Sequence, residues 1–212
     1  MLGFKFTMES LYFVSFRKAN ATSFLSTYYI PPFTTIRGLL SNALGLKRDD
    51  FLIQDWIKIG IKSSSFDKST ELSKFLKLKG GKRENNRFNS SPIFRDFLIN
   101  PVYEIYVGGD NDKITILNNA LKNPQRDLYL GSSDDMVDIT VFDPIEIYEE
   151  KKVPVSIVEG IYENSIVEKV PYKFHKKGNK YELEQKIISI PKDGFDMEVN
   201  SFNFGDEYIV LI

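Results

Sequence analysis

One well-marked helix set between alternating segments constrains this chain more than any other feature. After Pro31-Pro32, the apolar residues Ile36, Leu39, Leu40, Ala43 and Leu44 recur at i, i+3, i+4, i+7 and i+8, lining one face of a helix over residues 34–44. Thr34 or Thr35 can cap its start, and Gly45 stands where a left-handed residue closes a helix. Before it, Phe4, Phe6 and Met8, continued by Leu11, Phe13 and Phe16, read as a long strand with a break or bulge near Glu9-Ser10. After it, Ile57, Ile59 and Ile61 alternate with Lys58, Gly60 and Lys62, a second strand with one charged face.

Residues 63–100 break this rhythm. Leu72, Phe75 and Leu76 have the spacing of one or two helical turns after Ser69-Thr70-Glu71, while Gly80-Gly81 and Asn85-Asn86 mark turns or a mobile arm. Residues 102–107 read as a buried strand and Gly108-Gly109 as a turn. Asp112 then caps a short helix carrying Ile116, Leu117, Ala120 and Leu121, which Asn123-Pro124 ends. Residues 136–142 form the next strand, closed by Asp143-Pro144. The order strand, helix, strand, insertion, strand, helix, strand is the split β-α-β of a ferredoxin-like domain, here over residues 1–144. Strand-like runs at 154–158, 166–174, 180–190 and 207–212, with a hairpin turn at Lys176-Lys177-Gly178-Asn179, predict a small antiparallel β-rich domain over residues 145–212. The fold class is α+β.

Composition narrows the chemistry. The 212 residues contain no Cys and one His, which excludes disulfides, thiolate metal clusters, a thiol nucleophile and any pair of imidazole catalysts. No apolar run approaches the roughly 20 residues of a spanning helix, and the first residues lack a signal-peptide pattern, so the expected compartment is the cytoplasm, with no membrane partner. The net charge of −1 hides a dipole of +9 over residues 1–95 and −10 over residues 96–212. The cations are densest at Lys74, Lys77, Lys79, Lys82, Arg83, Arg87 and Arg95, among which the only acid is Glu84. Such a distribution fits a phosphate-bearing partner on one side and a protein on the other, or merely solvated surfaces.

Candidate reactive groups are few. His175, among Lys173, Lys176 and Lys177, is either a surface imidazole or an acid/base group. Asp134, Asp135 and Asp138 have the composition of a Mg²⁺ site, or of a turn. Tyr103 and Tyr106, three apart on a strand, face opposite ways, so at most one can stack on a base; one packs in the core and the other meets solvent. The helix start, with Thr34, Thr35 and Arg37, is either an ordinary capped helix or a phosphate site. No P-loop, dinucleotide fingerprint, HExxH or GxSxG is present, so no cofactor and no metal are expected.

Two stretches carry a resemblance. Phe16-Arg17-Lys18, followed by the run from Tyr29-Ile30-Pro31-Pro32-Phe33-Thr34-Thr35-Ile36-Arg37-Gly38-Leu39-Leu40 to Gly45, resembles the N-terminal signature of the CRISPR-associated Cas five family. Arg126-Asp127-Leu128-Tyr129-Leu130-Gly131-Ser132-Ser133-Asp134 is similar to the family's turn before the last strand of the first domain. The resemblance implies an RNA-binding subunit of a type I effector ribonucleoprotein complex (Cascade), active in defence against viruses and plasmids. There it caps the 5′ handle of the guide RNA (crRNA) beside a Cas seven family backbone subunit and a large subunit, and meets target DNA, if at all, through the assembled complex. It implies a hairpin thumb at residues 63–100, with Lys82, Arg83 and Arg87 on guide phosphates. Arg17, Lys18, Thr34, Thr35, Arg37 and Arg126 would hold the handle. The acidic second half would face the large subunit or solvent. With its one His outside these motifs, the chain is expected to be non-catalytic and closest to the type I-A or I-B branches. The alternatives are a metal-independent endoribonuclease that processes the guide precursor, and a ferredoxin-like protein-interaction module.

Overall fold

The computed structural model describes residues 1–19, 24–78, 88–132 and 134–212. Four antiparallel strands form the central sheet, in the order β4 (Ile57–Leu78), β5 (Phe88–Gly109), β1 (Leu2–Ser10), β6 (Val137–Val141). The register sets Phe6 opposite both Ile105 and Val141, and Ile61 opposite Ile105. Strand alternation therefore turns Phe4, Phe6, Met8, Ile59, Ile61, Tyr103, Ile105 and Val107 to one face, all fully buried. Helices α1 (Phe33–Ala43) and α2 (Asn111–Lys122) cover that face with Ile36, Leu39, Leu40, Ile114 and Leu117. None of these helices is long and apolar enough to cross a membrane.

The break expected near Glu9-Ser10 is present: the first strand stops at Ser10, and Phe13–Val14 forms a separate β2 that pairs with Leu98 and Ile99 of β5. Other local expectations are corrected. Pro32, not Thr34 or Thr35, is the N-cap of α1, so both threonines lie within its first turn, and Asp110, not Asp112, caps α2. Gly45 closes α1 with φ +70°, its amide donating to Asn42 and that of Leu46 to Ser41. Leu72, Phe75 and Leu76 belong to strand, not helix, because β4 and β5 stay paired from Ile57↔Gly109 to Leu78↔Phe88, with the register shifting only between Ser63 and Asp67. The short β3 (Phe24–Leu25) joins β5 in parallel at Phe94 and Arg95.

Gly108 and Gly109 also lie within β5 and make no turn. The second face of the sheet is covered, and glycine is what lets the cover approach. A Cβ at Gly108 would stand 2.6 Å from Leu211, and one at Gly60 would stand 2.9 Å from the Val210 carbonyl. Tyr106, Ile147, Phe204, Ile209 and Leu211 pack there as a second apolar cluster, so Tyr106 is buried and not solvated. β7 (Ile145–Glu146) pairs with Leu2 and Gly3 of β1, and the covering segment contains β8 (Glu149–Lys152), β12 (Val199–Asn203) and β13 (Tyr208–Ile209), a separate three-stranded sheet. Ile212 exchanges two backbone hydrogen bonds of 3.0 Å with Ile59, which continues the sheet past the rim of β4.

A long hairpin, β10 (Ser165–Lys177) and β11 (Lys180–Pro191), turns at Gly178-Asn179 as expected, with β9 (Val158–Glu159) beside β11. Its residues Val170, Ile188 and Ile190 enter the same core as α1, so β10 lies alongside that helix.

Candidate nucleic-acid interface

The start of α1 opens into a groove. One hollow of it, about 470 Å³, lies between α1 and residues 46–54 and is lined by Thr34, Arg37, Arg48, Phe51, Arg126, Tyr129 and Phe174 among others. Adjoining hollows share Thr34, Thr35, Gly131, Ser132 and Arg17 and lead past β10 to Lys74 and Arg95 at the root of the β4–β5 hairpin. Arg17, Lys47, Arg48, Lys74 and Arg95 thus line one path, and none of them forms an ion pair among the described residues. Aromatic rings accompany them: Phe51 and Phe174 lie 5.1 Å apart, and Tyr129 is partly exposed.

The local sequence explains this shape. Pro31-Pro32 forces an extended approach, so α1 begins abruptly at Pro32, whose carbonyl accepts from the Thr35 amide at 2.8 Å and the Ile36 amide at 3.1 Å. On the far wall, the turn at residues 129–135 is closed by Gly131 at φ +78° and by hydrogen bonds between Leu130 and Asp135 and between Asp135 and Ser132. Arg126 ties the two walls together, its guanidinium donating to the carbonyls of Gly45 (2.9 Å) and Leu46 (2.8 Å). Those carbonyls lie just past the helix, whose own last carbonyl, that of Ala43, accepts from the Gln125 amide at 2.9 Å.

The expected site residues divide. Arg17, Thr34, Thr35 and Arg126 line the groove. Lys18 is engaged elsewhere: its ammonium sits 2.5 Å from Glu168, a buried carboxylate that also accepts from the Tyr29 amide at 2.9 Å. Arg37 is buried, with Nη1 donating to the Tyr172 carbonyl and the guanidinium 4.8 Å from the Tyr172 ring. Its burial pulls the guanidinium below its usual pKa, with Tyr172 opposing. Neither side chain is a freely exposed handle contact. Lys82, Arg83 and Arg87 lie outside the described residues. Arg48 and Lys47, directly after the helix-closing Gly45, went unpredicted; two adjacent cations at a helix exit were the available signal.

Behind the groove, Asp96 anchors the hairpin root. It accepts from Lys68 at 2.7 Å and Thr70 at 2.6 Å, bonds that outweigh its burial and hold its pKa below the usual carboxylate range. The Tyr103 hydroxyl donates to the Tyr29 carbonyl at 2.8 Å, and burial, with Glu168 adding to it, raises its pKa far above the usual value. His175 lines none of these hollows; it faces Glu184 at 2.6 Å on the β10–β11 hairpin. Among the described residues no three His, Cys, Asp or Glu side chains come together as a metal site, Asp134, Asp135 and Asp138 included.

A protein-family model described as "CRISPR-associated protein (Cas_Cas5)" matches residues 10–198. The chain belongs to the Cas five family. A search of curated proteins by sequence gives no match. Solved structures share the fold at low identity. A chain titled "CRISPR RNA-guided surveillance complex" aligns with TM-score 0.61 and 16% identity, over 92% of this chain and 91% of that one. A CRISPR protein from Archaeoglobus fulgidus aligns with TM-score 0.56 and 12% identity, over 99% and 98%. A chain of a Type III-B Cmr-beta bound to cognate target RNA and AMPPnP aligns with TM-score 0.54 and 12% identity, over 92% and 86%. In this Cas five family chain the proline-led signature forms the groove floor and the Tyr129–Asp135 turn the facing wall.

Proposed function

We propose that this chain is a non-catalytic subunit of a type I CRISPR effector that binds and caps the 5′ handle of the guide RNA. The observation that carries the reading is the convergence of both signature stretches on one groove edged by cations that form no ion pair among the described residues. In this reading the four-stranded sheet with its two helices is a ferredoxin-like domain, and the β4–β5 hairpin is its thumb, reaching a backbone subunit. Arg17, Arg48, Lys74 and Arg95 neutralise the sugar-phosphate backbone while Phe174 and Tyr129 stack on splayed bases. Metal-independent cleavage needs a base at the 2′-hydroxyl and an acid at the leaving oxygen. The lone imidazole stands outside the groove, which supports holding without cutting.

Binding to a repeat-derived RNA, followed by fluorescence anisotropy across a salt series, tests the reading. Affinity should fall linearly against log salt with a slope of about −0.7 per phosphate contact for single strands. A flat response or no binding at low salt would overturn it. Incubation with precursor RNA in EDTA should leave the RNA intact; specific cleavage abolished by His175→Ala would make the chain a ribonuclease instead.

A further inference from the structure

The two faces of the β10–β11 hairpin treat their charges differently. On one face they are paired: Lys177 sits 2.6 Å from Glu182, and His175 lies 2.6 Å from Glu184. The register sets Lys176 opposite Tyr181 and Phe174 opposite Leu183, so strand alternation turns these four side chains to the other face. None of the four is acidic, and Lys176 forms no ion pair among the described residues.

This second face continues the groove. Phe174 lines the hollow beside α1, its ring lies 5.1 Å from that of Phe51, and Phe51 in turn lies 5.1 Å from Tyr181. The three rings form a row that leads from the groove toward the turn of the hairpin. The inner end of the row is braced: the Gln54 side-chain amide donates to the Phe174 carbonyl at 2.9 Å and accepts from the Phe174 amide at 3.2 Å. Next to it, Lys173 lies 3.5 Å from Asp55. At the outer end Tyr181 is 50% exposed, and its edge contact with Phe51, 69° between ring planes, covers at most one face of its ring. An open aromatic face beside a cation suits an unpaired nucleotide, since every base has a π face to stack and carries a phosphate.

We propose that single-stranded RNA leaving the groove crosses this row, with one unpaired base stacked on Tyr181 and Lys176 on an adjoining phosphate. The inference rests on the RNA-binding reading of the groove and extends it to a second patch on the C-terminal hairpin. The absence of carboxylates from this face favours a polyanion, and stacking of this kind accepts any base. His175 and Glu184, on the reverse face, take no part.

The test uses a repeat-derived RNA, intact and with an abasic site at each position in turn, with affinity read by anisotropy. Tyr181→Ala should weaken binding of the intact RNA about tenfold, within the range that one base–aromatic stack supplies. Tyr181→Phe keeps the ring and should bind like the parent. One abasic position that weakens binding to the parent should have no effect in Tyr181→Ala. Lys176→Ala should reduce the salt slope by about 0.7, whereas Tyr181→Ala should leave it unchanged. If Tyr181→Ala binds as tightly as the parent while Arg48→Glu weakens binding, the hairpin patch fails and the groove stands. Equal losses in Tyr181→Phe and Tyr181→Ala would exclude stacking and overturn the proposal, and absence of RNA binding by the parent protein overturns both readings.

Discussion

The groove beside α1 and the opposite face of the central sheet hold the same residue types, yet their charges end up differently. On the sheet face, Lys62 sits 2.7 Å from Glu104 and also bonds Glu207, Lys5 lies 3.5 Å from Glu104, and the Tyr106 hydroxyl donates to Glu207. Lys5 and Lys62 each have a carboxylate there, and the network ties in the segment that carries Glu207. In the groove Arg17, Arg48 and Lys74 have none within ion-pair distance among the described residues. Cations left unpaired along a concave surface raise its local positive potential. The contrast teaches that the count of lysines in a segment says little until their partners are known.

Breaking the groove side should give the largest effect. Combined Arg17→Glu, Arg48→Glu and Arg95→Glu should lower affinity for handle RNA by more than about a hundredfold and reduce the salt slope by about 2, as three lost contacts require. Its thermal midpoint should stay near that of the parent, since none of the three arginines is paired.

Breaking the sheet face should do the reverse. Glu207→Gln removes a charged acceptor from Lys62 and Tyr106 and should cost about 1–2 kcal/mol in denaturant unfolding, with RNA affinity unchanged. Its pH signature follows from linkage. Burial raises the Glu207 pKa, but the bonds from Lys62 and Tyr106 prevail and hold it below the ordinary carboxylate value. A depressed carboxylate contributes stability above its unfolded pKa and loses it as pH falls through the folded one. Stability of the parent should therefore decline below about pH 4, and Glu207→Gln should remove part of that decline. Asp96, depressed by Lys68 and Thr70, contributes in the same window.

Gly60→Ala sharpens the comparison at smaller scale. The added methyl meets the Val210 carbonyl, so the covering segment must shift, at a cost of about 1 kcal/mol or more. Handle binding should persist, because the groove lies across the helices from this contact. Loss of binding with retained folding would show that the two faces are coupled.

Much of this was legible in the sequence where periodicity is local. The α1 face, the alternation of β1 and the Gly178-Asn179 hairpin all follow from spacing within a dozen residues. The β4–β5 hairpin did not, because beyond Ser63 it leaves the core and loses the alternation that marks a half-buried strand; Leu72, Phe75 and Leu76 then mimic helical spacing. Gly108-Gly109 reads as a turn, whereas the strand needs small residues there for Leu211 and Trp56 to approach. At the site, Arg17, Thr34 and Thr35 were found through the signature. Lys18 and Arg37 carried the same expectation but are held by Glu168 and by Tyr172, more than a hundred residues away in sequence. Long-range partners of that kind leave no trace in local spacing.

Strand β5 pairs along one edge with β4 over its whole length, and along the other with β1, β2 and β3 in succession. A pull on β4 and β5 together along their axis would therefore load the ladders that join β5 to β1, β2 and β3 in shear, many bonds bearing the tension at once, not peeling apart one rung at a time. Any displacement along that axis would carry Lys74 and Arg95 with it, beside the groove.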